Sequence, residues 1–213
     1  MKVKDIMTWN VISVPSDMPM IEAKKIMEAH KIRRLPVVDK GKLVGVITKD
    51  GINRASPSDA TSLSVWEINY LVAKTKVKEI MRQDVITIPP DMSAEAAVAL
   101  AQNKHIGALL VVEDDALVGI ATTDDFFYKI LNPILGIGKP GVRLTIFSCA
   151  NAKCIADIMN QVAKHNFKIM AIHNEPPEEG KEVNLYLHLD TENAGTLIKE
   201  LKDKGYKVDV RER

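Results

Sequence analysis

Residues 3–50 of this 213-residue chain, VKDIMTWNVISVPSDMPMIEAKKIMEAHKIRRLPVVDKGKLVGVITKD, return as residues 77–124, VKEIMRQDVITIPPDMSAEAAVALAQNKHIGALLVVEDDALVGIATTD. The offset is 74 throughout, with no gap, and 19 of the 48 aligned positions are identical. Most other pairs are conservative, such as Asp5/Glu79 and Val14/Ile88. A repeat of this length means that both segments take one fold. A copy of about 50 residues is too small to bury a comfortable core by itself. The two copies must therefore pack as one unit and share an interface.

Each copy carries the same pattern. A short β-branched run, VISV or VITI, is predicted as a strand that ends at Pro15 or Pro89. A helix follows. In copy one Ile21, Ile26 and Met27 mark its apolar face among Glu and Lys; in copy two it is Ala-rich from Ala94 to Ala101 and suited to close packing. Continuous apolar strands, LPVV or LLVV, suggest burial on both faces. A tight turn at Lys40-Gly41 or Asp114-Asp115 leads to a second strand, LVGVIT or LVGIAT, and then to a second helix. The boundaries expected are 1–60 for the first domain, 61–76 for a linker and 77–133 for the second domain. Within the connecting stretch Ser56-Pro57-Ser58-Asp59 reads as a loop, and Trp66 as a packing anchor beside Ile68, Leu71 and Val72.

After Asp125 the run FFYKIL is predicted as a helix that Pro133 stops, followed by the Gly- and Pro-rich linker ILGIGKPG. Residues 140–213 form a third domain. VRLTIF is a strand. KCIADIMNQVAKH is a helix with Ile155, Ile158, Met159 and Val162 on one face. FKIMAIH and VNLYLHL are strands, ENAGTLIKELKDKG is a helix capped by Gly205, and YKVDV is the last strand. The order β-α-β-β-α-β is ferredoxin-like. The whole is an α/β (α+β) chain.

Composition excludes several classes. Lys+Arg number 29 and Asp+Glu 28, a net charge of +1, which argues against a nucleic-acid groove built on bulk positive charge. No apolar stretch reaches the roughly 18 residues of a membrane span. The start, MKVKDIM, has no apolar run like that of a signal peptide, so the expected compartment is the cytoplasm. Cys149 and Cys154 are the only cysteines and are expected to be reduced thiols. His30, His105, His165, His173 and His188 show no metal-ligand spacing, and no Gly-x-Ser-x-Gly elbow is present. The acidic run from Glu175 to Glu179 reads as a solvated loop, and Met18, Met20 and Met27 as core filler. No metal, cofactor or catalytic residue is expected.

The repeat resembles a pair of CBS domains, named after cystathionine β-synthase. The carrying residues are IMTWNVISV, HKIRRLPVVD and LVGVIT in copy one, and IMRQDVITI, HIGALLVVE and LVGIATTDD in copy two. The third domain resembles an ACT domain, a ferredoxin-like small-ligand and oligomerisation module. A CBS pair (Bateman module) followed by ACT is similar to the layout of AcuB-type, acetoin-utilisation proteins. The resemblance implies an adenosine-containing ligand in clefts between the two repeats, such as AMP, ADP, ATP or another adenosyl compound. It also implies a ribose motif, G-h-x-[ST]-x-x-D, at a strand-to-helix junction. A carboxylate there can accept hydrogen bonds from both ribose hydroxyls.

Copy two carries that motif from Gly119 to Asp125, which nominates Thr122 and Asp125, with Asp124 beside them. The resemblance places the facing base slot at Thr8, Val11 and Ile12, and at Ile32 and Arg33. In copy one the motif runs from Gly45 to Gly51, so Thr48 is kept while glycine stands where the carboxylate should be. Asp50 comes one residue early and is turned by about 100° on a helix. Arg33 and Arg34 replace Gly107 and Ala108 of the other copy, and arginine forks suit phosphate. Helix capping is the competing reading for Thr122 and Asp125, and a solvated strand edge is the one for the arginines. In the ACT-like domain Lys153 stands about where amino-acid-binding members have glycine, so dimerisation is the favoured role for that domain.

The expected function is regulatory: an adenine-nucleotide sensor that self-associates as a homodimer through its CBS or ACT surfaces and signals to a protein partner, without nucleic acid or membrane. The alternative is a purely structural interaction module with empty clefts. An enzyme is the remaining class, and no acid–base pair or activated nucleophile supports it.

Overall fold

The computed structural model describes residues 1–55, 64, 74–174 and 182–211. The loop expected over 56–59, the packing segment over 66–72 and the acidic run over 175–179 lie outside these residues. The chain divides into two compact units, Met1–Phe126 and Phe127–Arg213. Among the described residues no helix is long and apolar enough to cross a membrane.

In the first unit, copy one contributes α1 (Met20–Ala29), β1 (Arg34–Asp39), β2 (Lys42–Thr48) and α2 (Lys49–Ala55). Copy two contributes α3 (Val77–Ile80), β3 (Thr87–Ile88), α4 (Ala94–Asn103), β4 (Ala108–Glu113), β5 (Ala116–Thr122) and α5 (Thr123–Phe126). Strands β1 and β2 pair antiparallel with Arg34 opposite Thr48, and β4 and β5 pair with Ala108 opposite Thr122, the same register 74 residues on. Both hairpins turn through two residues of positive φ, Lys40 and Gly41 in one and Asp114 and Asp115 in the other. Such turns match the right-handed twist of paired strands.

Two local expectations are corrected. The VISV strand of copy one reduces to one parallel bridge, Val14 to Val37, whereas copy two keeps β3 parallel to β4. Pro36 is the cause: it occupies the place of Leu110 and has no N–H to extend the ladder. The buried face of α1 is Met20, Ala23 and Met27, with Ile21 and Ile26 only half-buried at its edge.

The two copies are joined by exchange of their first segments. Val3 and Met7, from copy one, are buried in the core of copy two with Ile88, Ala97, Leu109, Val111 and Ala121. Val77, from copy two, is buried in the core of copy one with Met20, Met27, Leu35, Ile47 and Ile52. The backbone bonds repeat with the copies. Val3 N–H donates to Met92 O at 2.9 Å and Val77 N–H to Met18 O at 2.9 Å. Thr8 pairs with Ile120, and Arg82 with Val46. Gly119 leaves room for the Met7 side chain, and Gly45 for Met81 and the Arg82 carbonyl. The glycine of the LVG motif thus serves close packing by the exchanged segment.

The second unit opens with a π-helical turn (Phe127–Leu131) and α6 (Asn132–Leu135). Pro133 does not stop this helix. It follows directly on the π-helical turn, inside the run of helical residues, and the stop comes at Gly136 with φ 62°. Then follow β6 (Val142–Ile146), α7 (Ala152–Lys164), β7 (Ile169–Asn174), β8 (Leu185–Leu189), α8 (Gly195–Asp203) and β9 (Val208–Arg211). The sheet order β7-β8-β6-β9, antiparallel throughout, is the ferredoxin-like arrangement. Alternate strand residues, among them Leu144, Ile146, Leu185 and Leu187, pack on Ile158, Val162, Leu197 and Leu201 of the helices. Cys149 and Cys154 are not free thiols: they form a disulfide with Cα atoms 5.6 Å apart. The spacing of five brings the middle of the β6–α7 connection beside the first turn of α7, a separation that a disulfide spans without backbone movement.

Candidate functional site

Between the copies of the first unit lies a cleft of about 300 Å³. Every residue expected at the base slot and ribose motif lines it: Thr8, Val11, Ile12, Ile32, Arg33, Thr122 and Asp125, with Asp124 and Arg34. Asn10, Lys31 and Ile120 complete the wall. None of these three is among the residues expected from the motifs, although Asn10 adjoins Val11, Lys31 adjoins Ile32 and Ile120 lies within the Gly119–Asp125 motif. Lys31 ends the helix-to-strand turn with φ 54°, a left-handed conformation that its counterpart His105 repeats at 52°. Val11, Ile12, Ile32 and Ile120 give the cleft an apolar wall. Three cations, Lys31, Arg33 and Arg34, face two carboxylates across it.

The junction of β5 and α5 fixes the carboxylate. Thr122 donates from both its backbone N–H (2.8 Å) and its hydroxyl (2.7 Å) to Asp125 Oδ2, and Asp125 N–H returns a longer bond of 3.4 Å to the Thr122 hydroxyl. Asp125 is only 9% exposed. In copy one the Thr48 hydroxyl accepts from Gly51 N–H at 3.0 Å. Helix capping therefore accounts for the threonine in both copies. It does not require a carboxylate, since copy one caps its helix without one.

Thr48 and Asp50 do not join this group. They line a second cleft of about 670 Å³, which Arg33 and Arg34 also line. Its wall includes Arg82, Asp84, Val85, Ile86, His105, Ile106, Gly107, Ala108 and Val46, the counterparts of first-cleft residues at the constant offset of 74. Arg54, Lys104 and Leu110 add to it. Of these, Arg54, Arg82 and Lys104 lie outside the motifs of the sequence, and Arg82 is the counterpart of Thr8 at the offset of 74. Arg34 reaches across the copies: a β-carbon on Gly107 would stand 2.9 Å from its Nη2. Glycine at 107 is what lets that guanidinium lie there.

The CBS domain family matches residues 3–58 and 77–132, together more than half of the chain. L-aspartate semialdehyde sulfurtransferase from Methanocaldococcus jannaschii is 34% identical over 127 residues, which are 58% of this chain and 22% of that protein. The chain thus spans well under half of that relative. The structure of AcuB from Vibrio cholerae is 32% identical and superposes with a TM-score of 0.53, covering 62% of this chain and 91% of that one. The CBS domain pair of protein MJ0100, solved in complex with 5'-methylthioadenosine and S-adenosyl-L-methionine, is 34% identical and covers 59% of this chain and 92% of that one. Its TM-score is 0.49, a superposition too loose to carry a ligand position over to this chain.

Proposed function

This chain belongs to the CBS domain family, and we propose that it is a regulatory protein, not a catalyst, whose first cleft takes an adenine nucleotide or related adenosyl ligand. The observation that carries the reading is the Asp125 carboxylate, nearly buried yet lining an apolar-walled cleft beside Arg33 and Arg34. The apolar wall suits the flat base, the carboxylate suits a ribose diol, and the guanidinium groups suit phosphate. A ligand there touches residues of both copies. It biases their relative arrangement by as much as it prefers one arrangement over another, about 1.4 kcal/mol for a tenfold preference. The βαββαβ unit supports an ACT-like role in self-association, and the likeness to AcuB supports a setting in acetoin or related carbon metabolism.

Calorimetry with AMP, ADP, ATP and S-adenosylmethionine tests this, on the wild type and on Asp125→Asn, which keeps an acceptor for the cap. The expected result is saturable binding of at least one ligand, weakened tenfold or more by the substitution. Equal affinity in the variant removes the ribose role. Absence of heat with all four ligands favours a second reading, a structural interaction module in which Asp125 only caps α5, for which the bonds from Thr122 speak.

A further inference from the structure

The repeat offers a position-by-position comparison of its two clefts: Asn10 becomes Asp84 and Lys31 becomes His105, yet the balance of lining charges is more positive in the second. Asp125 becomes Gly51, so the carboxylate is gone. Thr8 becomes Arg82, adding a cation. Arg33 and Arg34 become Gly107 and Ala108, and the Arg34 side chain enters the space at Gly107 from the other copy. Five cationic side chains line the second cleft, Arg33, Arg34, Arg54, Arg82 and Lys104, against Asp50 and Asp84. Among the described residues none of the five is engaged in an ion pair. Unpaired like charges gathered on a concave wall repel one another and focus a positive potential into the cavity. Guanidinium forks match phosphate oxygens in pairs.

We propose that the second cleft is a binding site for a multiply phosphorylated anion, held by Arg82, Arg54, Lys104 and the shared Arg33 and Arg34, with no requirement for a ribose. The volume, about 670 Å³, admits a condensed phosphate chain. The two clefts are therefore unlike receptors that share two arginines. Adenosine, which has no phosphate to compete for the guanidinium groups, binds beside the polyanion, while a nucleotide whose phosphates draw on Arg33 and Arg34 binds at its expense. The site stands whether or not the first cleft takes an adenosyl ligand.

Titration calorimetry with tripolyphosphate, pyrophosphate and a hexose bisphosphate separates condensed from spaced phosphates, with adenosine as the uncharged probe of the first cleft. The expected result is saturable tripolyphosphate binding that Arg82→Ala and Arg54→Ala each weaken by about tenfold or more, the loss of a charge-assisted pair of hydrogen bonds. Adenosine affinity is expected to be unchanged in both variants, and tripolyphosphate affinity unchanged in Asp125→Asn. Circular dichroism checks that the variants are folded. Tripolyphosphate binding with no adenosine binding sustains this site and removes the adenosyl reading of the first cleft. No binding of any polyanion overturns the proposal, as does wild-type affinity in both arginine variants, or displacement of tripolyphosphate by adenosine.

Discussion

Gly45 and Gly119 occupy the same place in the two copies and meet different neighbours. A β-carbon on Gly45 would stand 2.7 Å from the Arg82 carbonyl oxygen and 2.9 Å from Met81 Sδ, while the atoms nearest to one on Gly119 are those of the Met7 side chain. A methionine can change rotamer, whereas a paired backbone carbonyl cannot move alone. Gly45→Ala is expected to cost about 1–3 kcal/mol, the range for overpacking, and Gly119→Ala less, as read from urea denaturation midpoints. Sequence reading took this glycine as the first letter of a ribose motif, because a motif records spacing and not which atom fills the space. In the second unit Asp157 accepts from Lys204 Nζ and from the Tyr206 hydroxyl, each at 2.8 Å. The bond from Lys204, then that from Tyr206, holds its carboxyl below the ordinary carboxylate range. The stabilisation is present above the pKa of the unfolded carboxyl and is lost as pH falls through the lower folded value. Thermal melts of the wild type and Asp157→Asn are expected to differ near neutrality and to converge in acid.

At the scale of elements, periodicity revealed the helices and strands but not whose core each apolar face enters. Val3 and Val77 read as equivalent apolar openings of the two copies, and the structure buries each, fully, in the other copy's core. Pattern alone cannot distinguish packing within a copy from exchange, because both bury the same atoms. An aspartate at either site puts a charge into an apolar core at a cost of about 3 kcal/mol or more. Hydrogen exchange locates the damage. Val3→Asp is expected to lose protection first in α4, β4 and β5, and Val77→Asp first in α1, β1 and β2; loss within the substituted copy itself would contradict the exchange. The disulfide escaped for a different reason. Two cysteines five apart are compatible with thiols or with a bond, and only the turn that leads into α7 decides between them.

At the scale of the molecule, the second unit has a hydrophobic core of its own. Among the described residues, the buried members of that core run from Val142 to Val208. A fragment spanning 127–213 is therefore expected to unfold cooperatively on its own, with helix and strand content by circular dichroism, and a featureless melt would show that its stability comes from elsewhere. The fold class, the repeat and the βαββαβ order were readable because long apolar periods and turn residues agree there. The first cleft was readable where a motif named its residues; in the second, Thr48, Asp50, Arg33 and Arg34 were readable, and Arg54, Arg82 and Lys104, dispersed with no common spacing, were not. Exchange of opening segments also bears on how the clefts differ. Two separate identical chains that traded those segments would be bound by their axis to duplicate every substitution, and so to offer twin receptors. Covalent fusion lifts that constraint. A change in one half stays in that half, so a single polypeptide can weigh two chemically unlike signals against each other without recruiting a second gene product.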